Sequence, residues 1–213
     1  MRRRSAIEFL AGAALVLGHN VFGVLPNEVP ILFFLGLLSF RLRDGGLAAM
    51  GFRRPASWGR VVGLALAAAA LRIVLGAVVI DPLTEHFWPK AASPAGSGDI
   101  SGNPVEALKW LLLVWTFAAF GEEVGYRGYL MTRAADLGRR SRNAWIGALI
   151  VSSVLFGYGH YYKGPAGILD SAVAGLILGG AYLLSGKVLW TSILAHGFID
   201  TFGVVALYMG WDS

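Results

Sequence analysis

The stretch GEEVGYRGYL, residues 121–130, sets Glu122, Glu123 and Arg127 directly after the apolar run WLLLVWTFAAF. A charged side chain at the centre of a bilayer costs at least about 2.5–3.5 kcal/mol, so such groups are kept for a purpose. On a helix, Glu123 and Arg127 are four residues apart in the favourable acid-before-base order, and the spacing predicts an ion pair. Glu122 is turned away by about 100° and has no cation four residues on, because position 126 is tyrosine. One acid is expected to be neutralised and the other to be available.

Three more ionisable groups fall at comparable depth. Counting about 1.5 Å per residue from the basic markers that flank each apolar run, Glu122 lies roughly 16 Å in and His160 roughly 26 Å in. His196 and Asp200 lie roughly 14 and 20 Å in, and their i,i+4 spacing puts them on one helix face. A carboxylate, two imidazoles and a second carboxyl group in one layer suggest two chemistries. In the first, Glu122 is a general base that activates water together with His160, while His196 and Asp200 orient or stabilise a developing oxyanion. In the second, Glu122, His160 and His196 hold Zn²⁺ with water in the fourth position. No H-E-x-x-H helix signature is present to favour zinc.

Other ionisable residues have simpler expectations. Glu8, Glu106 and Lys109 lie near run ends and can snorkel, with Glu106 and Lys109 as an i,i+3 pair. Asp170 is expected to complement a helix N-terminus, and Arg72 and His19 to take structural partners.

The elements that hold these groups follow from composition. Of 213 residues, 56% are hydrophobic and only 15% charged, too few to coat a soluble particle. The apolar residues come in blocks at 6–17, 29–40, 61–80, 108–120, 144–156, 166–184 and 188–207, several near the length that spans a bilayer as a helix. The expected fold is all-α: one polytopic transmembrane helical bundle of about seven spans, residues 1–213 forming a single domain. With the N-terminus cytoplasmic, thirteen basic loop residues lie inside, from Arg2–Arg4 to Lys187, and only Lys90 and Lys163 outside. That asymmetry explains the net charge of +5 as topology, and nucleic acid is not an expected partner.

MRRRSAIEFLAGAALVLG is read as an uncleaved first span. Residues 81–104, rich in Pro, Gly and Ser, are read as an irregular extracytoplasmic loop. GGLAAMGFRRPASWGR is read as a short interfacial element with Phe52 and Trp58 at headgroup level. Cysteine is absent, which excludes disulfides and thiolate metal sites. Gly175, Gly179, Gly180 and Ala181 are expected to let their helix pack closely on its neighbours.

Three short motifs in order, EEVGYR (122–127), FGYGH (156–160) and HGFID (196–200), resemble those of the CAAX protease and bacteriocin-processing family, the type II CAAX prenyl endopeptidases and their prokaryotic relatives. The motif-bearing half is 104–213. The resemblance implies an intramembrane endopeptidase acting on a peptide or protein substrate in or at the membrane, in an integral, multi-pass protein of a prokaryotic inner membrane. Glu122 and His160 would activate water, and His196 and Asp200 would stabilise the oxyanion. Glu123, Arg127 and Phe156 would be supporting residues. A glutamate mechanism without cofactor is the expectation, with zinc on Glu122, His160 and His196 as the alternative. Eukaryotic members carry Asn where this chain has Asp200; an ionised Asp cannot donate a hydrogen bond, so orientation of His196 is its other possible role. Competing expectations are an ion-coupled transporter and a non-catalytic immunity or scaffold protein. Substrate identity and oligomeric state are not legible.

Overall fold

Each of the seven apolar runs falls in a helix, save Val188 at the start of the last, in the computed structural model, which describes residues 2–88 and 100–211. Helices α1 (Arg2–Asn20) and α2 (Glu28–Arg43) lead to a 3₁₀ turn at Leu47–Met50. Helix α3 (Trp58–Leu75) continues through a π turn at Gly76–Ile80 into α4 (Asp81–Phe87). Helix α5 (Pro104–Leu113) continues through π-type segments Val114–Glu122 and Val124–Leu130 into α6 (Met131–Leu137). Helices α7 (Arg142–Tyr158), α8 (Gly164–Leu184) and α9 (Leu189–Met209) complete the order.

Side-chain caps mark several starts: Asn27, Ser57, Asn103 and Ser141 each accept from a backbone N–H of the first turn. Pro104 follows Asn103 at a position where its missing N–H costs nothing. The expected loop at 81–104 is therefore corrected in part. Asp81–Phe87 is helical, extending α3 through the π turn just ahead of Pro82, an irregularity of the kind that accommodates a proline within a helix. Lys90 and the rest of 89–99 lie outside the described residues.

Among the described residues, four continuous helices are long and apolar enough to cross a membrane: Trp58–Phe87, Pro104–Leu137, Tyr161–Leu184 and Leu189–Met209. α2 and α7 are shorter, at 16 and 17 residues, and α1 carries Arg2, Arg3, Arg4 and Glu8 within its 19.

α7 and α8 approach closely because side chains are missing where they meet. A methyl group at Gly157 would stand 2.6 Å from the backbone oxygen of Ile168, and one at Gly179 2.4 Å from Leu149. Gly175 faces Ser153 in the same way, but Gly180, expected to help, meets nothing within 4 Å.

The basic residues gather at one end, and there Arg133 is buried rather than free in a loop. Its guanidinium reaches Asp44 (2.7 Å), Glu8 (2.9 Å) and Asp136 (3.0 Å), and Arg43 also pairs with Glu8. Glu8 is thus a tie between α1, α2 and α6 rather than a snorkelling side chain. Asp170 is likewise corrected: it lies beyond the first turn of α8 and pairs with Arg72 of α3. Glu106 and Lys109 pair at 2.6 Å as their spacing required.

Candidate active site

The helix that carries the two glutamates departs from α-helical bonding on both sides of Glu123. From Val114 to Glu122, and again from Val124 to Leu130, the backbone bonds i to i+5. Such π segments turn less per residue than an α-helix and recur at functional sites. Glu122 and Glu123 accordingly both turn inward, and each has a buried Oε2 with no hydrogen-bond partner.

Their surroundings still differ. Glu123 is fully buried and is the hub of a charged chain. Its Oε1 accepts from Arg127 Nη1 at 2.6 Å and lies 2.9 Å from His196 Nδ1. His196 Nε2 stands 3.4 Å from Asp200 Oδ2, so the imidazole is bracketed by two carboxyl groups. Arg127 also reaches the carbonyl of Gly175 at 3.4 Å, and its guanidinium carbon lies 4.3 Å above the Phe156 ring. Cation–π contact of this kind strengthens when it is shielded from water.

Phe156 is a spacer as well as a platform. Its ring centroid lies 4.9 Å from that of His160 and 6.1 Å from that of His196. His160 Nδ1 lies 3.0 Å from the carbonyl of Phe156, which accepts its proton and leaves Nε2 free.

Glu122 and His160 line a cavity of about 250 Å³ with Glu28, Tyr126 and His19. Tyr126 Oη donates to Glu28 Oε1 at 3.0 Å, and His19 Nε2 lies 3.9 Å from Glu28 Oε2. Sequence reasoning missed Glu28, which at the first residue of α2 resembles an ordinary helix-start acid. Tyr126 was hidden inside a motif read for its charges, and His19 was expected to be structural. The cavity lies where α1 meets α2 and α7 meets α8, at the end of the bundle opposite the basic residues.

Two glycines of the motifs make room for this arrangement. A methyl group at Gly197 would stand 2.4 Å from the Trp115 ring, whose Nε1 donates to Thr201 at 3.0 Å. One at Gly159 would stand 2.6 Å from Tyr126 Oη.

Residues 104–202 match the family model of the type II CAAX prenyl endopeptidases described as Rce1-like. This segment belongs to the CAAX protease family. The match takes in all three motifs and every expected site residue. No curated protein and no solved structure matches the chain. With its four membrane-length helices, the chain is an integral membrane protein.

Among the described residues no group of three or more His, Asp or Glu is placed to hold a metal ion. His196 presents one ring nitrogen to Glu123 and the other to Asp200.

Proposed function

We propose that this protein is an intramembrane endopeptidase in which Glu122 activates a water molecule for attack on a peptide bond. The observation that carries this reading is the Oε2 atom of Glu122, buried, without a protein partner and beside a cavity wide enough for water. A buried acceptor of that kind calls for a hydrogen from outside the protein.

Water held between Glu122 and the free Nε2 of His160 loses a proton to Glu122 as its oxygen adds to the substrate carbonyl carbon. The oxyanion that forms is met by the Nε2–H of His196, whose 3.4 Å contact with Asp200 Oδ2 is long enough to be shared with it. Asp200 acts through His196 by holding the ring, a role open to an ionised carboxylate. Glu122 then returns its proton to the departing amide nitrogen as the C–N bond breaks, leaving a carboxyl and an amine product. Glu123, Arg127 and Phe156 keep the two histidines apart and oriented. No metal takes part in this scheme.

In this reading residues 1–213 form one domain that crosses a prokaryotic inner membrane seven times with the N-terminus in the cytoplasm. The substrate is a membrane-associated or lipidated peptide or protein. The cavity then opens towards the extracytoplasmic half of the bilayer, because the basic end faces the cytoplasm.

The test is cleavage of a membrane peptide in proteoliposomes by wild type and Glu122→Gln, with and without chelator. Loss of activity only in the variant is expected. Full activity in Glu122→Gln removes Glu122 from the mechanism, and loss in chelator restored by Zn²⁺ overturns the metal-free scheme.

A further inference from the structure

A second cavity, of about 260 Å³, lies at the opposite end of the bundle from the candidate active site. Its rim carries Arg53, Arg140 and Lys187, its floor Thr132, Trp145 and Tyr182, and no acid lines it. Arg53 is held by the carbonyl of Gly186, and neither it nor Lys187 has a carboxylate partner among the described residues. Asp136 and Asp44 hold Nε and Nη2 of Arg140 at 2.6 and 3.1 Å from the far side, leaving Nη1. Lys187 Nζ lies 5.0 Å above the Trp145 ring.

Two features mark a built site rather than a chance cluster of surface cations. The Thr132 hydroxyl at the floor is 1% exposed and lies beside Tyr182, whose own hydroxyl donates to the carbonyl of Met50, so the floor is polar as well as buried. Arg140 and Lys187 also take left-handed backbone angles, φ 55° and 68°, which non-glycine residues adopt at a cost. Glycine would serve those turns better, so the cations are kept for what their side chains do.

We propose that this cavity binds a phosphate group, presented by an anionic phospholipid headgroup or free in solution. Three uncompensated or half-compensated cations around a concavity attract an anion. Arginine supplies a planar fork and lysine a point charge, the pair of donors that phosphate oxygens accept. The setting suits a headgroup: Ala48, Ala49 and Trp145 give an apolar wall. Phe52 and Trp58 of the neighbouring interfacial element meet the Trp190 ring of α9, edge-on and tilted. Basic pockets between transmembrane helices at the cytoplasmic surface bind such headgroups. The Leu47–Met50 turn is fixed there by its own packing. Leu189 N–H bonds to the carbonyl of Gly51 at 3.1 Å, and Tyr182 Oη donates to the carbonyl of Met50 at 3.1 Å. An occupied pocket would therefore brace the turn against α8 and α9.

The test uses the full chain and no protease readout. Native mass spectrometry counts phosphatidylglycerol retained against phosphatidylcholine, and thermal shift in phosphate-free detergent follows added inorganic phosphate or glycerol 3-phosphate. Wild type is expected to bind at least one of these probes, and Arg53→Gln and Lys187→Gly each to weaken it by about tenfold or more. Lys187→Gly relieves the left-handed backbone, so its unliganded Tm is expected to hold or rise. Retention of phosphatidylglycerol alone assigns the lipid source, and response to free phosphate alone assigns the soluble one. Equal binding by wild type and both variants, or no binding of any probe, overturns the proposal.

Discussion

His196 Nδ1 lies 2.9 Å from Oε1 of Glu123 and not from its neighbour Glu122. The adjacent glutamates are thereby separated in function by one hydrogen bond. Glu123 is committed to Arg127 and His196, while Glu122 keeps an oxygen for the cavity.

The two glutamates should fail differently when made neutral. Glu122→Gln is expected to lower the cleavage rate by about 10²–10⁴-fold, the contribution typical of a general base, with little change in Tm. Glu123→Gln leaves Arg127 buried without its counter-charge and is expected to cost about 3–5 kcal/mol of stability. Thermal unfolding in detergent alongside the proteoliposome assay separates the two; equal Tm loss in both would contradict the division.

Arg127 is held through geometry as much as charge. Lysine keeps the charge but not the reach to Glu123, the Gly175 carbonyl and the Phe156 face together. Arg127→Lys is therefore expected to lower Tm and activity nearly as far as Arg127→Ala. Phe156→Ala removes the ring between the two histidines and is expected to cost about 3–5 kcal/mol. Tm and rate measured on the three variants check both statements.

Helix contact at α7–α8 gives a prediction of opposite signs. Gly157→Ala drives a methyl into the Ile168 carbonyl and is expected to destabilise by about 1–3 kcal/mol. Gly180→Ala meets nothing within 4 Å inside a helix and is expected to be neutral or to stabilise by about 0.4–1 kcal/mol. Unfolding of the two variants in one detergent decides.

The proposed orientation is open to direct labelling, because the chain has no cysteine. Arg54→Cys is expected to react with an impermeant maleimide only after the membrane is opened, and Tyr162→Cys in intact cells. Both positions are exposed, Tyr162 at 72%. The reverse pattern would put the cavity mouth on the cytoplasmic side.

Much of this molecule is readable along the chain. Hydrophobic runs place the helices, since transfer into an apolar phase depends on local composition. The Glu123–Arg127 pair follows from one turn of helix, and the three motifs name Glu122, His160, His196 and Asp200. Span number is less legible, because α1, α2 and α7 are shorter or more charged than a simple membrane helix.

Only the tertiary structure decided which groups meet. Arg72 with Asp170, Tyr126 with Glu28, and Glu123 with His196 are separated by 98, 98 and 73 residues. The rotation of each helix selects those partners, and the π segments that rotate both glutamates inward leave no trace in hydropathy. Composition sets where a helix runs; packing sets what its side chains touch, because close contact depends on the shapes of two distant surfaces at once.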